Sequence, residues 1–169
     1  MLLTTDRLII RKMKDKDINE IYDYRNDERC YKFQTYSSRT IAELKSLINM
    51  SQNSTLKPNT INEFAICLKD SDSIVGEIYV NIGIDSIALG YSISYKHFRK
   101  GYAFEALTKI TLYLHELYPE YELYALVHPG NDASNKLLEK LGFKYEEFIE
   151  QLNSLVYTKY SLKEKKEMK

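Results

Sequence analysis

Between Ser86 and Tyr95 the chain alternates: Ile87, Leu89, Tyr91 and Ile93 are large and apolar, while Ala88, Gly90, Ser92 and Ser94 are small. Period two is that of a β-strand with one face on a core and the other uncrowded. A few residues later the period changes. Ala103, Leu107, Ile110, Leu114 and Leu117 recur at spacings of three and four, which predicts an amphipathic helix over 102–117 that stops before Pro119. The same reading predicts strands over 6–13, 61–69, 74–82, 121–128, 143–149 and 154–162. Further helices are expected after Asp15, from Thr40, where Thr40-x-x-Glu43 makes a capping box, and over 132–141. Lys69-Asp70-Ser71-Asp72-Ser73 reads as the turn joining two of the strands. Strands and helices are mixed rather than regularly alternating, so the expected class is α+β, a mixed central sheet with helices packed on it. A length of 169 residues suits one domain, 1–169.

The junction between strand 86–95 and helix 102–117 carries candidate chemistry. His97-Phe98-Arg99-Lys100-Gly101-Tyr102-Ala103 leads into the helix. The first amides of a helix have no intrahelical acceptor and point along the positive end of its dipole. Gly101 permits close approach of a ligand, and Arg99 and Lys100 add positive charge, so a phosphate or pyrophosphate is the natural occupant. Neither G-x-G-x-x-G nor the P-loop pattern is present.

Composition narrows the classes. Lys and Arg number 24 and Asp and Glu number 24, a balance that argues against a nucleic-acid binder. No apolar run reaches the ~18 residues of a membrane span, and Asp6 and Arg7 interrupt any signal-peptide core, so a cytoplasmic protein is expected. Cys30 and Cys67 have neither CxxC nor metal-ligand spacing; they read as reduced structural thiols, and no metal is expected. The basic tail, 163–169, reads as a solvated terminus.

About thirty residues after the glycine loop comes Asn131-x-x-Ser134-x-x-Leu137-Leu138-Glu139-Lys140-Leu141-Gly142-Phe143. Together with Leu89-Gly90-Tyr91, Gly101-Tyr102-Ala103-x-Glu105-Ala106 and the opening Leu3-x-Thr5-x-Arg7-Leu8-x-Ile10-Arg11, this resembles the GNAT N-acetyltransferases, in particular the branch that acetylates ribosomal-protein N-termini. The resemblance covers nearly the whole chain. It implies a mostly antiparallel sheet of about seven strands with about four helices, and transfer of acetyl from acetyl-CoA to an amine. It departs from the family at Phe98 and Arg99 in the loop, and at Leu138, where many members carry a tyrosine that acts as general acid.

What the resemblance implies can be carried over residue by residue. Backbone amides from Arg99 through Lys100, Gly101 and Tyr102 to Ala103 would grip the pyrophosphate, and main chain at Ile93 and Ser94 would pair with the pantetheine arm. Ser134 is the candidate acid for the leaving thiolate, with capping of the helix as the alternative; Asn131 is open between a cofactor contact and a cap. Asn135 and Lys136 would reach the cofactor. Glu77 is the candidate base, on a strand face that turns either to the cleft or to solvent. Segments 25–40 and 51–60 would wall the acceptor pocket, where Asp27, Glu28, Tyr31, Phe33 and Tyr36 favour a cationic amine. A small-molecule amine or a protein N-terminus remains open as acceptor, and a homodimer is compatible. The alternative is a non-catalytic acyl-CoA-binding or sensing domain of the same fold.

Overall fold

A computed structural model describes residues 2–34 and 40–161. The chain runs β1 (Leu3–Thr4), β2 (Leu8–Lys12), α1 (Ile18–Arg25), α2 (Glu28–Tyr31), α3 (Ile41–Asn53), β3 (Thr60–Leu68), β4 (Ile74–Ile82) and β5 (Ser86–Ile93). It continues through α4 (Tyr102–Leu117), β6 (Glu122–Val127), α5 (Asp132–Lys140), β7 (Lys144–Ile149) and β8 (Ser154–Lys159). The class is α+β, as expected. The eight strands form one sheet in the order β1-β2-β3-β4-β5-β6-β8-β7. Of the seven pairings only β5 with β6 is parallel. The eighth strand and fifth helix, beyond the seven and four expected, are β1 and α2; two and four residues are too short to display a period.

Alternation along the strands divides the molecule into two layers. Leu8, Ile10, Phe64, Ile66, Ile78, Val80, Ile82, Ile87 and Leu89 lie on the face that receives Leu107, Ile110 and Leu114 of α4 and Leu138 of α5. Full burial of such side chains stabilises by roughly 1.5–3 kcal/mol each. The opposite face presents Ala65, Cys67 and Ile74 to Ile18, Ile21, Leu44, Leu47 and Ile48 of α1 and α3. The capping box at Thr40 is formed, with Thr40 and Glu43 bonded reciprocally. Leu117, counted in the apolar stripe of α4, is 44% exposed.

One departure from a regular sheet creates the site. A parallel pair needs a crossover, and here α4 supplies it. β5 and β6 pair only from Ser86–Ala88 to Glu122–Tyr124; beyond these residues the strands part.

Candidate functional site

The parted strands open a cleft of about 720 Å³. Its floor and walls come from Leu89 to Ile93 of β5, from Ala125 to His128, from the loop and first turn of α4, and from α5, with Cys30, Phe33 and Gln34 over the opening.

The edge of β5 that faces the gap follows from the ladder. Ser94 N–H donates to Val75 O (2.9 Å), which makes Ile93 opposite Gly76 a non-hydrogen-bonded pair. The same phase returns two residues earlier at Tyr91, so the backbone N–H and C=O of Ile93 and Tyr91 point away from β4 into the cleft. Side chains near the opening already touch this edge: Gln34 Nε2 donates to Tyr91 O (3.3 Å), and Cys30 Sγ lies 3.5 Å from Ile93 O. Ser94, expected beside Ile93 in this role, is placed elsewhere. It is fully buried, and its carbonyl accepts from His97 N–H (2.8 Å), so both of its backbone groups are used inside the fold.

After β5 a single 3-10 turn, Tyr95–His97, carries the chain to the loop. Arg99 (φ 60°) and Gly101 (φ 79°) both adopt left-handed backbone, which turns consecutive amides to one side. The amides of Arg99 to Ala103 have no acceptor among the described residues, and Arg99, Gly101, Tyr102 and Ala103 line the cleft. The Lys100 side chain is exposed and leans to His97 Nδ1 (3.4 Å), while its carbonyl accepts from Arg7 Nη1 (2.9 Å). Glu105, in the first turn of α4, accepts from Arg7 Nε (2.6 Å), Arg7 N–H (2.9 Å) and the Thr5 hydroxyl (2.5 Å). Partial burial opposes its ionisation, yet those hydrogen bonds hold its carboxyl below the usual carboxylate range. The loop is thus braced by the N-terminal strands.

On α5 the two residues with competing roles separate cleanly. Asn131 is the N-cap: its Oδ1 accepts from Ser134 N–H (3.2 Å), and it also borders the cleft. Ser134 is therefore free of capping, and its Oγ lies 2.6 Å from the hydroxyl of Tyr91 at the cleft wall. Asn135 donates to Pro129 O (3.3 Å) behind the helix start and does not line the cleft. Lys136 is exposed and does not line the cleft. The lysine that reaches the cleft is Lys140, its Nζ 4.4 Å from the centre of the Phe104 ring.

Glu77 does not face solvent or line the cleft. It is 5% exposed and takes hydrogen bonds from Arg25 Nε (2.9 Å) and Nη2 (2.7 Å) and from the Tyr24 hydroxyl (3.1 Å). A carboxylate on this face must be matched by a buried cation, and α1 supplies it. His128 borders the cleft and packs against Phe33 with 5.2 Å between ring centres. Its Nδ1 accepts from Gly130 N–H (3.0 Å), and its Nε2 meets the Asn153 side-chain amide (3.0 Å), so both ring nitrogens are engaged.

Cys30 lies at the cleft despite its distance in sequence from both motifs. Burial pushes its thiol up to about 11, which keeps it protonated and a poor nucleophile. Asp27 does not offer a free carboxylate: it caps α2 and pairs with Arg29 (2.6 Å). The cleft walls carry Arg29, Arg99 and Lys140 and, among the described residues, no carboxylate. Tyr36 and the basic tail lie outside the described residues. Tyr91, Gln34 and Lys140 were not singled out as site residues. Tyr91 read as one more apolar position of its strand; the available signal was its hydroxyl, which a buried tyrosine must satisfy.

A strand edge turned to the cleft, a row of unaccepted amides at a helix start and the Tyr91–Ser134 hydroxyl pair at the wall suit a ligand that is peptide-like in its middle and anionic at one end. Known proteins agree. Residues 7–144 match the acetyltransferase (GNAT) domain family. An uncharacterized N-acetyltransferase of Bacillus subtilis (strain 168), YnaD, is 28% identical over 89% of this chain and 87% of its own length. The ribosomal protein uS5-alanine N-acetyltransferase of Escherichia coli (strain K12) is 31% identical over 85% of this chain and 78% of its own. Among solved structures, a GNAT-family acetyltransferase from Bacillus anthracis superposes with a TM-score of 0.81 at 24% identity, covering 95% of this chain and 98% of that one. The chain belongs to the GNAT family and is an acetyl-CoA-dependent N-acetyltransferase.

Proposed function

We propose that the protein, acting in the cytoplasm as one acyltransferase domain, moves acetyl directly from acetyl-CoA to the N-terminal amine of a peptide or protein within a ternary complex. The observation that carries this reading is the hydroxyl of Ser134, released from capping by Asn131 and held at the cleft wall opposite the open edge of β5. The amides of Arg99 to Ala103 bind the pyrophosphate, with Arg99 and Lys140 adding charge, and the backbone of Tyr91 and Ile93 pairs with the pantetheine amides. The amine nitrogen forms its bond to the acetyl carbon, the carbon–sulfur bond breaks, and sulfur keeps the electron pair. Ser134 donates its hydrogen bond to that sulfur. The amine's proton leaves through water, since Glu77 and both nitrogens of His128 are engaged. Direct transfer is favoured over an acyl-enzyme because the thiol at the cleft, Cys30, is protonated.

A peptide amine is favoured over a polyamine by the likeness to an enzyme named for a ribosomal-protein alanine. The test is thiol release from acetyl-CoA with N-terminal peptides and polyamines side by side. Turnover confined to peptides is expected; turnover confined to polyamines overturns the acceptor class, and CoA binding without thiol release in any mixture would turn the reading to a sensor domain. Mass spectrometry after acetyl-CoA alone should find no acetylated protein.

A further inference from the structure

The hydrogen bond between Tyr91 and Ser134 joins the two walls of the cleft, one from β5 and one from α5, across 43 positions of sequence. Two hydroxyls carry two hydrogens, and only one can lie between them. Tyr91 packs against the main core, and Ser134 is the hydrogen-bond partner of its hydroxyl among the described residues. If Ser134 were the donor, the phenolic hydrogen would be left at the cleft wall with no acceptor among the described residues. A phenol is also the stronger donor of the two. Tyr91 therefore donates, and the hydrogen of Ser134 is the one left over. A serine near a helix start, given no such partner, turns its hydrogen back toward a backbone carbonyl of the preceding turn. Accepting from Tyr91 uses one of the serine's two lone pairs and so narrows where its hydrogen can point.

We propose that Tyr91 is a positioning residue that fixes the rotor of Ser134 so that the serine's hydrogen faces the departing sulfur in the cleft. The inference rests on the role given to Ser134 above and adds what makes that hydroxyl directional. Burial pushes the Tyr91 phenol up to about 12, so it stays protonated and keeps donating throughout the working range.

The test compares CoA with desulfo-CoA, which lacks only the thiol, so it needs no knowledge of the acceptor. Binding is measured by calorimetry at a pH where the free thiol is ionised, for the wild type, Tyr91→Phe, Ser134→Ala and the double variant. The phenylalanine keeps the ring and its packing, and desulfo-CoA affinity reports whether the cleft is intact. The wild type should prefer CoA by about tenfold, the scale of a hydrogen bond to a charged group. Both single variants should lose that preference with desulfo-CoA affinity unchanged, and the double variant should lose no more than either. Where an acceptor is in hand, Tyr91→Phe should lower kcat by about tenfold and leave the KM for acetyl-CoA in place. If Tyr91→Phe alone keeps the preference, this inference falls and the role of Ser134 stands. If both single variants keep it, both fall. A loss of desulfo-CoA affinity in Tyr91→Phe, or an undiminished effect of that change in the Ser134→Ala background, also overturns the proposal.

Discussion

Arg7 and Glu105, 98 positions apart in sequence, meet at 2.6 Å, and the same guanidinium donates to the carbonyl of Lys100. One side chain from the start of the sheet thus holds both the first turn of α4 and the loop before it. Loss of the brace should act on ligand binding more than on folding. Arg7 is half exposed, and exposed pairs contribute ~0–1 kcal/mol to stability. Arg7→Ala is expected to lower CoA affinity by about tenfold while the melting temperature moves by only a few degrees. Calorimetry and a thermal scan of the same sample check both.

The Glu105 carboxyl also gives the brace a pH dependence. Its pKa is held below the value it takes in the unfolded chain. Its contribution is therefore complete above the unfolded carboxylate range, near pH 4.3, and is lost as pH falls through the lower folded value. Wild type and Glu105→Gln should differ in stability at neutral pH and converge in acid. Denaturation curves over a pH series that stay parallel down to the acid end would contradict this.

At Gly101 the backbone is left-handed, and an added Cβ would lie 3.4 Å from Arg7 Nη2. Gly101→Glu places a side chain and a negative charge against the loop amides, at a backbone cost of roughly 1–2 kcal/mol. The variant should fold and show no measurable CoA binding. Unchanged affinity would mean that the pyrophosphate sits elsewhere.

Glu77→Gln separates two roles for a buried carboxylate. As the partner of Arg25, its loss leaves a buried cation poorly matched and should cost about 3–5 kcal/mol, less whatever hydrogen bonding the amide retains. Turnover per folded molecule should persist. A variant with wild-type stability and abolished kcat would restore Glu77 as the base.

Cys30→Ser is expected to retain turnover, because a thiol pushed up to about 11 supplies almost no thiolate at neutral pH. Alkylation of Cys30 by a thiol reagent should likewise be slow. Loss of activity in Cys30→Ser with CoA affinity intact would reopen an acyl-enzyme route.

The elements that declared themselves in sequence were those whose packing repeats. α4 was read at its observed bounds because Leu107, Ile110 and Leu114 all meet one core, and β5 because one face is apolar and the other small. The loop motif located the amides at 99–103 for the same reason, since a helix start is a local property. Where the structure turns a candidate site residue another way than expected, the difference is one of direction. Whether Ser94 or Tyr91 turns its backbone to the cleft depends on the hydrogen-bond phase with β4. That phase is set by a partner strand and leaves no trace in the order of residues. Lys136 and Lys140 look alike in a sequence and, four residues apart, share a face of α5; they differ by about one turn along its axis. Glu77 is placed by its sequence toward the cleft or solvent because its partner, Arg25, lies 52 positions earlier in a helix on the other layer.

The gap between β5 and β6 gives this sheet two edges in its middle, in addition to those at its ends. Interior edges are an unfinished state of a fold, and on the proposed reading it is the pantetheine arm that completes the ladder. The donor is then also a structural part, one that the folded chain binds and the unfolded chain does not. At a hundredfold excess over its dissociation constant it would add ~2.7 kcal/mol to stability. The amount of intact protein in a cell would then rise and fall with the supply of acetyl-CoA, apart from any effect of that supply on the rate of acetylation.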